Sequence, residues 1–309
     1  MPSRRALHHA GRQTPFCRRA EWSLTLMISL SWTVGSLRAQ DENPPPAAPT
    51  GVATANREEL AALIEKVRAA HWARPRADGI DRYKAMLRFT PTRADQSSAE
   101  FDLAVTFLAP NLLKYRVDEP GETLEQGHDE SGAWSLVGTK VIKLEGKDYR
   151  EAAATVRQRL ALASQLLRLL DPAAVLVQLQ SASPPTPTQF PLARDKRIDA
   201  LAVEGRFEDF PLQFSTEDGR TSAPVQLKVV VDKASSRLLM IESRVLDAEG
   251  KPKGRRERVY LRDLTEQDGV VLPREVLLYD DQTLHARIAI RAIDLDPERI
   301  TATDVRRAK

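Results

Sequence analysis

Residues 100–108 read Glu-Phe-Asp-Leu-Ala-Val-Thr-Phe-Leu, and their alternation decides the fold. Phe101, Leu103, Val105 and Phe107 fall on one side of an extended chain, with Asp102, Ala104 and Thr106 on the other, because successive strand side chains point to opposite faces. The stretch is therefore a strand with one apolar and one mainly polar face. Period two begins upstream at Tyr83 and continues downstream over 111–117, 122–128, 133–138 and 140–145. Turn residues such as Pro120-Gly121 and Ser131-Gly132 separate these short strands. Connections this short leave no room for crossover helices, so the strands form an antiparallel meander.

Helical spacing flanks the meander on both sides. Asn56 and Glu59 offer a capping pair ahead of Leu60, Leu63, Ile64 and Val67, which predicts a helix over 57–73. Asp148 and Glu151 form a similar box before a stripe of Val156, Leu160, Ala163, Leu167 and Leu170. Asp171-Pro172 then starts a second helical piece, proline being favourable at the first helical position. Residues 181–191, SASPPTPTQFP, read as a loop. Strands resume at 198–207, 211–215, 224–232, 237–246, 256–264, 270–279 and 283–294. The prediction is an α+β fold: one antiparallel sheet of about a dozen strands, with an N-terminal helix and a mid-chain helical pair on its apolar face.

The chain has 309 residues, 42% hydrophobic and 29% charged, which is enough apolar material for a large core. Its positive charge is concentrated at the start. Six of the 46 basic residues, and one of the 43 acids, lie in residues 1–39, so residues 40–309 hold 40 basic and 42 acidic side chains. The pI near 9.0 belongs to the leader. A nucleic-acid partner is excluded on this ground, because phosphate neutralisation needs cations on the folded domain. Trp22–Leu37 is an uncharged, largely apolar run behind an arginine-rich segment, as in an export signal processed near Ala39. The alternative is an uncleaved inner-membrane anchor. The expected organisation is a signal peptide over 1–39, a flexible Pro/Ala-rich linker over 40–56 and a single domain over 57–309, placed in the periplasm or secreted. The lone Cys17 precedes the apolar run and does not suit a lipoprotein signal.

Motifs of chemistry are sparse. His71, His128 and His285 lie in three separate elements, none with a second histidine or a cysteine at ligand spacing. No GxSxG, P-loop, GxGxxG or HExxH occurs. His128-Asp129-Glu130 reads as a polar turn, and Asp294, Asp296 and Glu298 as a solvated strand end rather than a calcium loop. No cofactor, metal or enzymatic activity is expected. Lys251, Lys253, Arg255, Arg256 and Arg258 gather at a hairpin tip; they read as a solvated turn, with contact to an anionic membrane surface as the functional alternative.

The order of elements resembles the LolA/LolB-like superfamily. A leading helix precedes a meander containing FLAPNLLKYRV, and a turn-strand of Asp129, Gly132 and Trp134 follows. A helical insertion and a second meander, with VQLKVVVDKASSRLLMIESRV and DGVVLPREVLLYD, complete the pattern over roughly 57–300. The resemblance implies a strongly curved antiparallel sheet, an unclosed β-barrel, with a helical lid on its concave face and a cavity for a lipid or acylated lipoprotein. The lipid-binding residues it implies are Phe101, Leu103, Val105, Phe107, Leu113, Tyr115, Trp134, Leu160 and Leu167. The function expected on this basis is that of an envelope protein binding a lipid or lipoprotein acyl group in the half-barrel cavity, with lipoprotein carriage as one form of it; the alternative is an envelope sensor or scaffold with the same fold and no bound ligand. The chain departs from the carriers at Ala109, where they place a lid-latching arginine before Pro110-Asn111-Leu112. Leu113 and Tyr115 stand where phenylalanine and tryptophan are usual, so the chain reads as a divergent member.

Overall fold

Two meanders meet in the middle of one sheet. The computed structural model describes residues 50–309 except 73–79, 93–99, 120–121, 194–195, 213–221, 296 and 307–309. The leader and the tether as far as residue 49 lie outside the described residues. Helix α1, Thr50–His71, leads into the first meander: β1 Arg82–Pro91, β2 Phe101–Leu108, β3 Leu112–Glu119, β4 Glu122–Asp129, β5 Gly132–Val137 and β6 Lys140–Lys143. Helices α2, Arg150–Leu170, and α3, Pro172–Gln178, follow. The second meander comprises β7 Thr186–Ala193, β8 Lys196–Pro211, β9 Ser222–Asp232, β10 Leu238–Leu246, β11 Pro252–Gln267, β12 Val270–Asp280 and β13 Thr283–Asp294. A short helix α4, Ala302–Val305, ends the described chain.

The 13 strands run in the order β6-β5-β4-β3-β2-β1-β13-β12-β11-β10-β9-β8-β7. β13 pairs antiparallel with β1 and joins the two halves, while β6 and β7 remain unpaired edges. The sheet is therefore not closed. It is curved, because α2 touches both β5 and β8. Those strands are ten places apart, about 48 Å in a flat sheet, whereas a 21-residue helix is only about 31 Å long. Curling brings both halves of the apolar face onto one helix. An unclosed, curved antiparallel sheet with helices is the expected fold class.

Several boundaries differ from the sequence reading. α1 starts seven residues ahead of the predicted helix, so Asn56 lies inside it and caps nothing. The predicted box of Asp148 and Glu151 is replaced by a single 3-10 turn, Lys147–Tyr149, and Tyr149 makes no side-chain cap. The Asp171 carboxylate does accept the Ala174 N–H at 3.1 Å, with Pro172 at the first helical position. The predicted loop 181–191 contributes β7 from Thr186 onward. Its prolines are tolerated because an edge strand needs backbone donors on one side only. The expected strands 198–207 and 211–215 become one strand, β8, with 213–215 outside the described residues.

The main core lies between the inner sheet face and the helices. Leu103, Val105 and Phe107 are buried there, as their alternation requires. A smaller cluster forms on the opposite face, where Ile300 and Val305 pack on Leu108 and Leu112. That C-terminal turn carried no periodic signal in the sequence.

Candidate functional site

Cross-strand partners share a face, so the register defines the inner wall. Tyr83, Phe107 and Leu113 form one row across β1, β2 and β3. Ala85, Val105 and Tyr115 form the next, which continues through Gln126 and Ser135 on β4 and β5. Leu87, Leu103 and Val117 form the third. From the opposite half of the sheet come Val259, Val276, Leu278 and Ile288. α2 lies against this wall with Arg159, Leu162, Ala163, Gln165, Leu166 and Leu169, and between helix and sheet is a cavity of about 20 Å³. That volume holds about one water molecule and no acyl chain. The wall is apolar, and the helix is closed onto it.

The helix–sheet contact retains polar groups. The Tyr83 hydroxyl donates to the Ala163 carbonyl at 3.0 Å, and Gln165 Nε2 donates to the Pro211 carbonyl at 2.6 Å. Gln165 Oε1 is buried with no partner among the described residues. The Tyr115 hydroxyl donates to Gln126 Oε1, and Gln126 Nε2 donates to Ser135 Oγ at 3.4 Å. Burial raises the pKa of both Tyr83 and Tyr115, so both phenols stay protonated donors. The Arg159 guanidinium sits 4.9 Å from the Phe89 ring centre and 5.2 Å from that of Phe101. Desolvation lowers its pKa, and the Tyr115 phenol opposes that shift.

The sequence-predicted site residues divide into three groups. Leu103, Val105, Leu113 and Tyr115 line the cavity together. Phe101 stacks on Phe89 beneath Arg159, while Phe107 is fully buried against Tyr83, beside the cavity rather than on it. Leu160, Leu167 and Trp134 are placed elsewhere. α2 is rotated so that Leu162, Leu166 and Leu169 face the sheet, leaving Leu160 and Leu167 partly buried on its flank. Trp134 pairs with Gly127, which pairs with Lys114, so it lies on the outer face. It is nonetheless buried, with its ring over Gly127: a β-carbon there would sit 2.5 Å from Trp134 Cζ2. Period two in Ala133-Trp134-Ser135 sends the tryptophan opposite to its neighbours.

Sequence reasoning missed Tyr83, Arg159 and Gln165. An arginine inside a helix reads as solvent-facing until the helix's rotation is known, and Arg159 is preceded by another, Arg157, that is exposed. The stretch read as a polar turn divides: His128 and Asp129 end β4 and only Glu130 lies in the turn, with His128 Nδ1 2.9 Å from the Asn111 carbonyl and Glu130 paired with Arg306. At the basic hairpin, Arg255 pairs with Asp280 at 2.6 Å and Arg258 with Glu242 at 2.8 Å.

No family profile and no curated protein matches this chain. Solved structures similar to it include a LolA superfamily protein from Nitrosomonas europaea, 10% identical, covering 78% of this chain and 97% of that one, with a TM-score of 0.39. A domain assigned as an outer membrane lipoprotein-sorting protein from Vibrio parahaemolyticus is 11% identical, over 82% and 100% of the two chains, with a TM-score of 0.42. A DUF1329 family protein from Desulfovibrio piger is 9% identical, over 82% and 98%, with a TM-score of 0.43.

Proposed function

We propose that this chain is an envelope protein that binds a lipid, or the acyl group of a lipoprotein, between α2 and the apolar wall of its open sheet. The observation that carries the reading is the composition of that contact. A permanent core excludes polar groups it cannot satisfy, yet among the described residues Gln165 Oε1 has no partner, and Arg159 lines the cavity. Such an interface suits a lid that leaves the sheet and returns. The export signal read in residues 1–39 supports the envelope location, and transfer between membranes as a carrier is the role that a reversible lid serves. The second reading is a packed scaffold that acts through its surface, and the small cavity of about 20 Å³ favours it.

Val105→Asp separates the two. It places a carboxylate on the inner wall, where burial without a partner costs several kcal/mol. Thr106→Asp puts the same charge on the outer face. On the lipid-binding reading, extraction and mass spectrometry find acyl lipid on the parent and on Thr106→Asp, and none on folded Val105→Asp. A parent free of lipid, with Val105→Asp unfolded, establishes the packed scaffold instead.

A further inference from the structure

Arg159 is treated differently from other arginines of this protein. Arg88 is matched by Asp102 at 2.9 Å, Arg116 by Asp118 at 2.9 Å and Arg258 by Glu242 at 2.8 Å. Arg159 reaches from the sheet-facing side of α2 onto two stacked phenylalanine rings and lines the apolar cavity. Among the described residues no carboxylate pairs with it. A guanidinium engaged through its flat face keeps its in-plane N–H groups for a planar or tetrahedral acceptor with two oxygens. The Tyr115 hydroxyl, on the same cavity wall, is near enough to act on its charge.

An apolar path also leads out of the cavity. Leu103 pairs with Val117, and Val117 with Leu124. Leu103 is 1% exposed and Val117 7%, whereas Leu124 reaches 38%. Once α2 lifts, a chain laid on Leu103 can therefore continue over Val117 and Leu124 along the inner wall toward solvent.

We infer that the ligand is an anionic amphiphile whose hydrocarbon chain lies on Leu103 and Val105 and whose two-oxygen head, a carboxylate or a phosphate, is bound by Arg159. This rests on the lipid-binding reading above and adds the chemistry of the head group. A cation with no carboxylate partner among the described residues, set beside an oily wall, selects an anion that brings its own chain.

The test compares ligands of equal chain length on the full chain: oleate, oleoyl lysophosphatidic acid and uncharged oleyl alcohol. Each is titrated into the parent, Arg159→Leu and Arg159→Gln, with thermal melting to confirm that the variants fold. The parent is expected to prefer at least one anion over the alcohol by about tenfold to a hundredfold, the range of a charged hydrogen bond. That preference should fall to near unity in both variants. Loss confined to oleate assigns a carboxylate head, and loss confined to the lysophospholipid assigns a phosphate. An anion-to-alcohol ratio that is the same in parent and variants overturns the inference while the lipid-binding reading stands. A parent that binds none of the three overturns both.

Discussion

His71 ends α1 with its ring 1% exposed, and its Nε2 accepts the Leu238 N–H at 2.9 Å. Burial, then the nearby charge of Arg237, lowers its pKa from 6.5 to about 4. The unfolded chain therefore binds this proton more readily than the native one. Native stability from neutral His71 is complete above pH 6.5 and is lost as the pH falls toward 4. The loss amounts to about 3 kcal/mol once both states are protonated. His285, also lowered by burial against the opposing charge of Asp280, acts in the same direction. Chemical unfolding at pH 7 and pH 4.5 should show the parent losing about 2 kcal/mol more than His71→Gln; equal losses would contradict a neutral buried His71. At this scale the sequence was informative wherever one period settled a side chain's direction. Val105 follows from strict alternation, and so, applied to residues 132–137, does the outward direction of Trp134, which the motif-based resemblance had placed inside. Arg159 was not legible, because a helix face is defined by what covers it.

α2 is the element that the proposed lipid binding requires to move. Its sheet-facing side carries Leu162, Leu166 and Leu169, but two polar ties fix its position: Tyr83 to the Ala163 carbonyl, and Gln165 to the Pro211 carbonyl. Tyr83→Phe removes one tie and leaves the ring. A net hydrogen bond is worth about 1 kcal/mol, so amides of 159–169 should exchange about fivefold faster by mass spectrometry. Exchange unchanged in α2, with the variant folded, would show that the tie does not hold the lid. The existence of α2 and α3 was readable from period 3.6 and from Asp171-Pro172. Their rotation was not, since Val156, Ala163 and Leu170 face the core with either of two leucine sets beside them. β7 was misread for a similar reason: Pro187 and Pro191 argue against a strand only when two neighbours need their N–H groups.

The whole molecule combines an open 13-stranded sheet with a helix that closes one face of it. Its antiparallel character followed from short connections and alternation, whereas the number of strands agreed only because the missed β7 offset the two expected strands that merge in β8. The joining of β1 to β13 did not, because local pattern carries no information on partners some two hundred residues apart. That pairing makes a single curved wall from two meanders and places Val105 and Ile288 on the same cavity. On the lipid-binding proposal, α2 rises to admit an acyl chain onto this wall. A palmitate analogue with a photoreactive diazirine at its chain end, irradiated with the full chain and mapped by peptide mass spectrometry, reports whether it does. Cross-links are expected on the sheet-facing residues of 159–169 and on Leu103, Val105 or Ile288. Cross-links confined to the outer cluster around Ile300 and Val305, or none above background, would contradict it.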